Sequence, residues 1–257
     1  MPFWRVLVAV SAVFLSGCAT SDLEYWGLPY PTTAADRANY SPLAKERFAL
    51  APIEVDKLHP KFRRQQVTYK TAEAPGTIVV DVPNRYLYLV GDNNRAMRYA
   101  IEVGREGFGW SGEATIDRKA EWPVWTPPAE MVARDPKVAP FAAGMPGGVD
   151  NPLGARAMYL FQGGKDTLYR IHGGGHPTRL GKATSSGCIR LLDHDVIDLY
   201  ARVGTGTRTV VLAEEKKVSG TTPTAEQQST PASAVVNRAS VVPNISGRPG
   251  PVTRRNG

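Results

Sequence analysis

The chain has 257 residues, of which 25 are glycine and 21 are proline. This surplus of turn-forming residues favours strands and loops over a helical bundle. Because 42% of the residues are hydrophobic, the chain can bury a core, which excludes a wholly disordered or fibrous protein. The two cysteines exclude a disulfide-dense scaffold and a four-thiolate zinc site. A formal net charge of +7 favours anionic surfaces in general and selects no particular partner.

The N-terminus has the pattern of a bacterial export signal. Arg5 precedes an apolar run over residues 6–15, and small residues then lead to Cys18. This run is too short for a membrane-spanning helix, which needs about 20 residues. The sequence Leu15-Ser16-Gly17-Cys18 resembles the lipobox of bacterial lipoproteins, in which the thiol is acylated and the chain is cut just before the cysteine. Ordinary cleavage nearby, with Cys18 left unmodified, is the alternative.

Residues 1–17 are therefore predicted to be a signal peptide, with Cys18 as the mature N-terminus. Ala19 rather than aspartate follows this cysteine, which in a Gram-negative lipoprotein implies export to the outer membrane. Two or more acyl chains hold a protein stably on a membrane. We therefore expect a periplasmic protein that is attached to the outer membrane by lipid.

Two extensions flank the predicted folded region. Residues 18–74 contain scattered aromatic residues and prolines without a sustained period, and we interpret them as a tether that partly packs on the domain. Residues 214–257 contain no aromatic residue and are rich in proline, serine, threonine and alanine. This composition has too little apolar material to offset the entropy lost on ordering, so it predicts a disordered tail.

Between residues 75 and 213, short β-rich segments alternate with turn signals. Residues 77–82 and 86–90 are predicted strands, and Pro83-Asn84-Arg85 between them is typical of a hairpin connection. Further strands are predicted at residues 98–103, 157–161, 168–171 and 208–212. The predicted fold class is mainly β, with one or two short helices.

One helix is clearly marked near the end of this region. Val196, Leu199 and Val203 recur at helical spacing, Asp193 or His194 can begin the helix, and Gly204 can end it. No internal repeat is apparent. The chain contains neither a phosphate-binding loop motif nor a dinucleotide glycine fingerprint, so nucleotide chemistry has no support.

Three of the four histidines lie close in sequence to Cys188. Ser185-Ser186-Gly187 leads into this cysteine, and Gly187 has no side chain to hinder a substrate. The backbone N–H groups of Gly187 and Cys188 can therefore form an oxyanion hole. His172 ends a predicted strand before three glycines, where it can hold the thiol proton and later give it to a leaving amine.

Two simpler interpretations of these residues are disfavoured. A lone cysteine is usually a buried apolar residue, but the Ser-Ser-Gly entry and the nearby histidine argue against that for Cys188. A metal site is disfavoured because ligands four residues apart share a face only on a helix, and the glycines between His172 and His176 are poor helix formers. We expect His176 to border the cleft and His194 to be a helix-start residue on the surface.

The segment resembles the signature of the L,D-transpeptidase catalytic domain family, the YkuD family. That signature is His-Gly, then a spacer, then Ser-x-Gly-Cys followed by Ile or Val and Arg, which here is His172-Gly173 and Ser185 to Arg190. The resemblance covers residues 77–212 and includes upstream pieces such as Asn151-Pro152-Leu153-Gly154. It implies a β-sandwich-like catalytic domain, which we place at residues 75–213.

The resemblance also implies roles for single residues. Cys188 is the expected nucleophile, His172 the expected proton acceptor and donor, and the Gly173 carbonyl the group that orients the histidine ring. Arg190 is expected to order the loop or to attract a substrate carboxylate. Ser186 stands where many family members have histidine or lysine, and it is expected, with Arg190 and His176, to contact the substrate.

The function implied is that of a peptidoglycan L,D-transpeptidase. Cys188 would attack the stem-peptide bond before the terminal D-alanine, form a thioester and transfer the acyl group to an amine. The acceptor would be a neighbouring stem, giving a 3-3 cross-link, or an outer-membrane protein or lipoprotein. No cofactor is required, because thiol, imidazole and N–H groups supply the chemistry. No nucleic-acid partner is expected.

Three alternatives remain open. With water as the acceptor, the enzyme would be an L,D-carboxypeptidase. A lipoprotein that binds peptidoglycan without catalysis would tether the outer membrane to the wall. A hydrolytic amidase or cysteine protease would act on other peptides.

Overall fold

The computed structural model describes residues 29–104, 110–185 and 188–212. Within these ranges the fold is mainly β with a few short helices, so the predicted fold class is confirmed. The helices are α1 (Ala34–Asn39), α2 (Ala129–Arg134) and α3 (Asp193–Arg202), with single 3-10 turns at Pro60–Phe62, Ala139–Phe141 and Pro177–Arg179. The strands are β1 (Gln65–Thr68), β2 (Ile78–Asp81), β3 (Tyr86–Val90), β4 (Arg95–Ala100), β5 (Val103–Gly104), β6 (Gly112–Glu121), β7 (Arg156–Gln162), β8 (Lys165–His172), β9 (Ala183–Ser185), β10 (Ile189–Arg190) and β11 (Arg208–Leu212).

Nine of these strands form one mixed sheet in the order β1-β4-β3-β2-β11-β6-β7-β8-β10. The β2–β11 and β8–β10 pairs are parallel, and the other neighbours are antiparallel. β11 therefore joins the N-terminal meander to the second half of the sheet. Every residue of β2 is buried, as expected for an apolar strand beside a parallel partner. β5 and β9 form a separate parallel pair, and β10 lies at one edge of the large sheet.

The predicted hairpin between β2 and β3 is confirmed. The two strands are antiparallel, and both the backbone and the side-chain amide of Asn84 donate to the Asp81 carboxylate in the turn. The third predicted strand is shifted, because β4 already ends at Ala100 and Glu102 instead bridges to Arg190. β1 and β6 were not predicted. β6 carries three consecutive charged residues, Asp117 to Lys119, at an irregularity in its pairing with β7, so it has neither a β-rich composition nor a simple alternation.

The main core lies between the sheet and α3. The helix begins at Asp193 and ends before Gly204, as predicted, and Val196 and Leu199 are fully buried. The expectation that His194 lies on the surface is wrong, because it is 4% exposed and its Nε2 lies 2.9 Å from the Ser41 carbonyl oxygen. The N-terminal segment covers this end of the helix.

The N-terminal segment packs across the predicted boundary at residue 74. Tyr40, Val55 and Leu58 form a second apolar cluster with residues of the domain, including Leu192 just before α3. The Glu46 carboxylate forms two hydrogen bonds with Arg156 at the start of β7, at 2.8 and 2.9 Å. Cys18 and residues 214–257 lie outside the described residues. Within the described ranges, no helix has the length and apolar character needed to cross a membrane.

Candidate active site

The C-terminal end of β8 and the start of β10 bring the two predicted catalytic side chains together. β10 runs parallel to β8 with Arg190 opposite His172. Cys188, two residues earlier, therefore lies opposite Arg170. Residues in register point to the same side of a sheet, and so do alternate residues of one strand. The four side chains thus share one face at the edge of the sheet.

The glycines after His172 are required by close backbone approaches. A Cβ atom on Gly175 would lie 2.5 Å from the Leu191 carbonyl oxygen, and one on Gly173 would lie 2.1 Å from Oδ1 of Asp193. The Gly175 N–H donates to this Leu191 oxygen, and the Leu191 N–H donates to the His172 carbonyl. Any side chain here would separate the two segments that carry the predicted catalytic residues.

Asp193 fixes the loop that follows His172. Its Oδ1 accepts hydrogen bonds from the backbone N–H groups of Ala155, at 2.7 Å, and Gly174, at 3.1 Å. Burial raises the pKa of Asp193, while these two hydrogen bonds act in the opposite direction. Sequence reasoning treated this aspartate only as a possible start of the helix. Its hydrogen-bond donors, Gly174 and Ala155, lie about 20 and 40 residues before it in the sequence. No local sequence pattern therefore reveals these contacts.

The His172 ring is buried and oriented by the backbone. Its Nδ1 lies 2.8 Å from the Gly173 carbonyl oxygen, and the side chain is 2% exposed. Because a carbonyl oxygen only accepts, Nδ1 carries the hydrogen, and the neutral ring keeps its lone pair on Nε2. Burial, and then the charge of Arg190, lower the pKa of His172 to about 3, while hydrogen bonds with Gly173 and Leu153 act in the opposite direction.

Cys188 is partly buried and forms no disulfide within the described residues. Burial raises the pKa of its thiol, whereas a hydrogen bond with the Arg170 backbone and the charges of Arg170 and Arg190 oppose this rise. Burial thus favours the uncharged forms of the Cys188 thiol and of the His172 ring, because it raises the pKa of the thiol and lowers that of the imidazole.

The family model for the L,D-transpeptidase catalytic domain, named YkuD, matches residues 75–212, which is more than half of the chain. The chain belongs to the L,D-transpeptidase catalytic domain family. His172 and Cys188 both lie within the matched residues.

The L,D-transpeptidase domain of this chain has curated relatives that carry the same family name. Probable L,D-transpeptidase YbiS of Escherichia coli K12 is 30% identical over 160 residues, which cover 60% of this chain and 50% of that protein. Probable L,D-transpeptidase ErfK/SrfK of Salmonella typhimurium is 34% identical over 154 residues, which cover 55% of this chain and 46% of that protein. The chain thus spans about half the length of these relatives.

One similar solved structure has a different name. A probable carnitine operon oxidoreductase from Brucella melitensis is 54% identical, with a TM-score of 0.42, over 60% of this chain and 96% of that chain. The oxidoreductase name belongs to that protein.

In this L,D-transpeptidase domain Arg190 is paired with a buried acid. Its NH1 lies 3.1 Å from Oε1 of Glu102, which is fully buried, and the backbones of the two residues exchange hydrogen bonds of 2.9 Å. Arg179 contacts the other carboxylate oxygen at 3.4 Å. Arg190 and Arg179 thus share one buried carboxylate. Sequence reasoning missed Glu102, although a lone acid in an apolar strand-like segment is an available signal.

The remaining predicted site residues have different outcomes. His176 is exposed, and its Nδ1 accepts the Thr178 N–H at 3.3 Å at the start of a 3-10 turn. Ser186 and Gly187 lie outside the described residues. Within the described parts of the L,D-transpeptidase domain, no three His, Cys, Asp or Glu side chains are grouped so that they could hold a metal ion.

Proposed function

We propose that this protein is a peptidoglycan L,D-transpeptidase. The observation that supports this most is the placement of Cys188 and His172 on one face of adjacent parallel strands, with Nδ1 of His172 held by the Gly173 carbonyl. This arrangement leaves Nε2 as the base, and it leaves the thiol on the same face as the base. The family membership supports the same reaction.

In the first half-reaction, the Cys188 thiol gives its proton to Nε2 of His172 while the sulfur attacks the carbonyl carbon of the third stem residue. A carbon–sulfur bond forms, and the carbonyl oxygen becomes an oxyanion held by the N–H groups of Gly187 and Cys188. The carbon–nitrogen bond to the terminal D-alanine then breaks. The leaving amine takes the proton from His172, which yields a thioester and free D-alanine.

In the second half-reaction, an acceptor amine attacks the thioester carbonyl and gives a proton to Nε2 of His172. The carbon–sulfur bond breaks, and the sulfur of Cys188 recovers the proton. The acceptor is the side-chain amine of a neighbouring stem, or an amine of an outer-membrane protein or lipoprotein. Water in place of the amine would give the L,D-carboxypeptidase reaction.

Arg190 is proposed to be a positioning residue. Its ion pair with Glu102 and its backbone pairing with that residue hold β10, and therefore Cys188, against the rest of the site. Buried ion pairs with this geometry are costly to break, since one partner would be left buried and unpaired. Ser186 and His176 are proposed as substrate contacts on the basis of the family signature.

The proposed location is the periplasm, with acylated Cys18 anchoring the protein in the outer membrane. The support for this is the apolar run and the Leu-Ser-Gly-Cys sequence at the N-terminus. Metabolic labelling with a palmitate analogue tests the anchor. Label should appear on the wild-type protein and be lost in Cys18→Ala, and an unlabelled wild type would refute the proposal.

Release of D-alanine from tetrapeptide muropeptides, followed by mass spectrometry, tests the activity. Cys188→Ala, Cys188→Ser and His172→Ala should each abolish release, because each removes the nucleophile or the base. His59→Ala serves as the matched histidine control and should keep wild-type activity. Circular dichroism of every variant separates loss of chemistry from loss of fold. Undiminished release by Cys188→Ser would end the assignment, and the products distinguish transfer to an amine from hydrolysis.

A further inference from the structure

A row of cationic and aromatic side chains crosses the sheet and ends at the nucleophile. Arg118 in β6 pairs with Tyr159 in β7, and Tyr159 pairs with Arg170 in β8. Arg170 in turn lies opposite Cys188, one residue before β10. Cross-strand partners share a face, so the row lies on the same side of the sheet as the thiol.

Two guanidinium groups share one ring in this row. The Cζ atoms of Arg118 and Arg170 lie 3.6 and 4.5 Å from the centroid of Tyr159, which is 6% exposed. Such contacts fix the position of a guanidinium without using its N–H groups. Both arginines are therefore held in place by the ring, and the donors of Arg118 stay available for an acceptor, whereas Arg170 donates to Asp166 and to the Tyr169 carbonyl oxygen.

The charges of the row are not balanced within the row. Arg170 forms two hydrogen bonds with the Asp166 carboxylate, at 2.6 and 2.8 Å. Arg118 is exposed and, among the described residues, forms no ion pair and no side-chain hydrogen bond. Two cations thus face one carboxylate, which leaves a net positive charge on the row, at the Arg118 end. Arg190, unlike Arg118, is paired with a buried carboxylate, that of Glu102, which it shares with Arg179.

We propose that Arg118 and Arg170 form a subsite for a carboxylate of the acyl-donor peptide. Guanidinium groups bind carboxylates through paired, charge-assisted hydrogen bonds. Neighbouring strands are about 4.8 Å apart, so the row reaches about 15 Å from Cys188, and an extended peptide advances about 3.3 Å per residue. The carboxylate therefore belongs to a residue within about four positions of the scissile bond. Without substrate, Arg170 donates its hydrogen bonds to Asp166, and the substrate carboxylate would replace Asp166 as the acceptor.

Arg170 also has a structural task, so it is the less suitable residue for a test. Its ion pair with Asp166 spans an irregularity in the pairing of β7 with β8, where Leu168 has a φ of 65°. Replacing Arg170 would disturb this bulge. Arg118 lies on an exposed part of β6, so we choose it as the residue to replace.

The subsite rests on the proposed function, but binding tests it without turnover. Titration calorimetry in the Cys188→Ser background would compare a stem tetrapeptide carrying free carboxylates with peptides amidated at one carboxylate at a time. We expect one amidated form to bind about tenfold more weakly than the free form, because it loses a charge-assisted hydrogen bond. Arg118→Gln should remove that difference by weakening only the peptides in which this carboxylate is free. The amidated position that matters identifies the carboxylate.

Arg95→Gln is the matched control, since Arg95 is an exposed arginine on β4, far along the sheet order from β8. It should keep the full preference for the free carboxylate. Equal binding of all peptides by the Cys188→Ser protein, or a preference that survives Arg118→Gln, would overturn the subsite. A carboxylate preference together with no D-alanine release by the wild-type protein would overturn the proposed function and leave the subsite standing.

Discussion

Replacing Gly173 by alanine should destabilise the protein by about 3 kcal/mol or more. The new Cβ would lie 2.1 Å from Oδ1 of Asp193, so this carboxylate must move by about 1 Å. That movement breaks its hydrogen bonds to the N–H groups of Ala155 and Gly174. Each hydrogen bond to a charged group contributes about 1.5 to 3 kcal/mol, and the displaced carboxylate remains buried. Typical proteins have only about 5 to 15 kcal/mol of stability, so the loss is large.

Urea unfolding followed by circular dichroism measures this loss. Gly204→Ala is the matched control, because no atom lies within 4 Å of its added Cβ, and it should change the free energy of unfolding by less than about 1 kcal/mol. A double-mutant cycle with Asp193→Ala isolates the cause. Gly173→Ala should cost much less once the carboxylate is gone. A full cost in the Asp193→Ala background, or a cost below about 1 kcal/mol in the wild type, would refute the reasoning.

Three further predictions concern ionisable groups. Alkylation of Cys188 by iodoacetamide, read by peptide mass spectrometry, should rise about tenfold between pH 7 and 8, because burial raises the thiol pKa; a plateau below pH 8 would contradict a raised thiol pKa. Burial raises the pKa of Asp195 to about 7, above its unfolded value of about 3.9, so its contribution to stability is present at low pH and is lost as pH rises from about 4 to 7. Urea unfolding of Asp195→Asn should lack this loss, and an unchanged pH dependence would count against it. Glu46→Gln should lower the free energy of unfolding by about 1 to 3 kcal/mol by breaking the pair with Arg156, whereas Glu54→Gln, in an exposed pair, should give no measurable change; equal effects would refute the distinction.

The parts of the fold that were predictable depend on local sequence. The β2–β3 hairpin follows from two β-rich segments around a turn, and α3 follows from apolar residues at helical spacing. β6 was missed because its run of charged residues, together with an irregularity in its pairing with β7, hides the alternation of a strand. The burial of His194 was missed for another reason, because it depends on Ser41, a residue far away in the sequence.

The candidate site divides in the same way. His172, Gly173 and Cys188 were found because they share a short and specific motif. Glu102 and Asp193 were not found, because their partners come from segments that only the fold brings near. Sequence reasoning therefore identified the groups proposed to do the chemistry and missed those that hold them in place.

The packing of the N-terminal segment also limits the length of chain between the proposed lipid on Cys18 and the folded protein. The described contacts of the folded unit reach back at least to Tyr30, whose backbone N–H donates to the Asp56 carbonyl oxygen. Only the residues between Cys18 and Pro29 then separate the proposed lipid from the folded protein. Fully extended, such a stretch spans no more than about 40 Å. An acylated Cys18 would therefore keep the folded protein within about 40 Å of the membrane surface, so only peptidoglycan within that distance could enter its site.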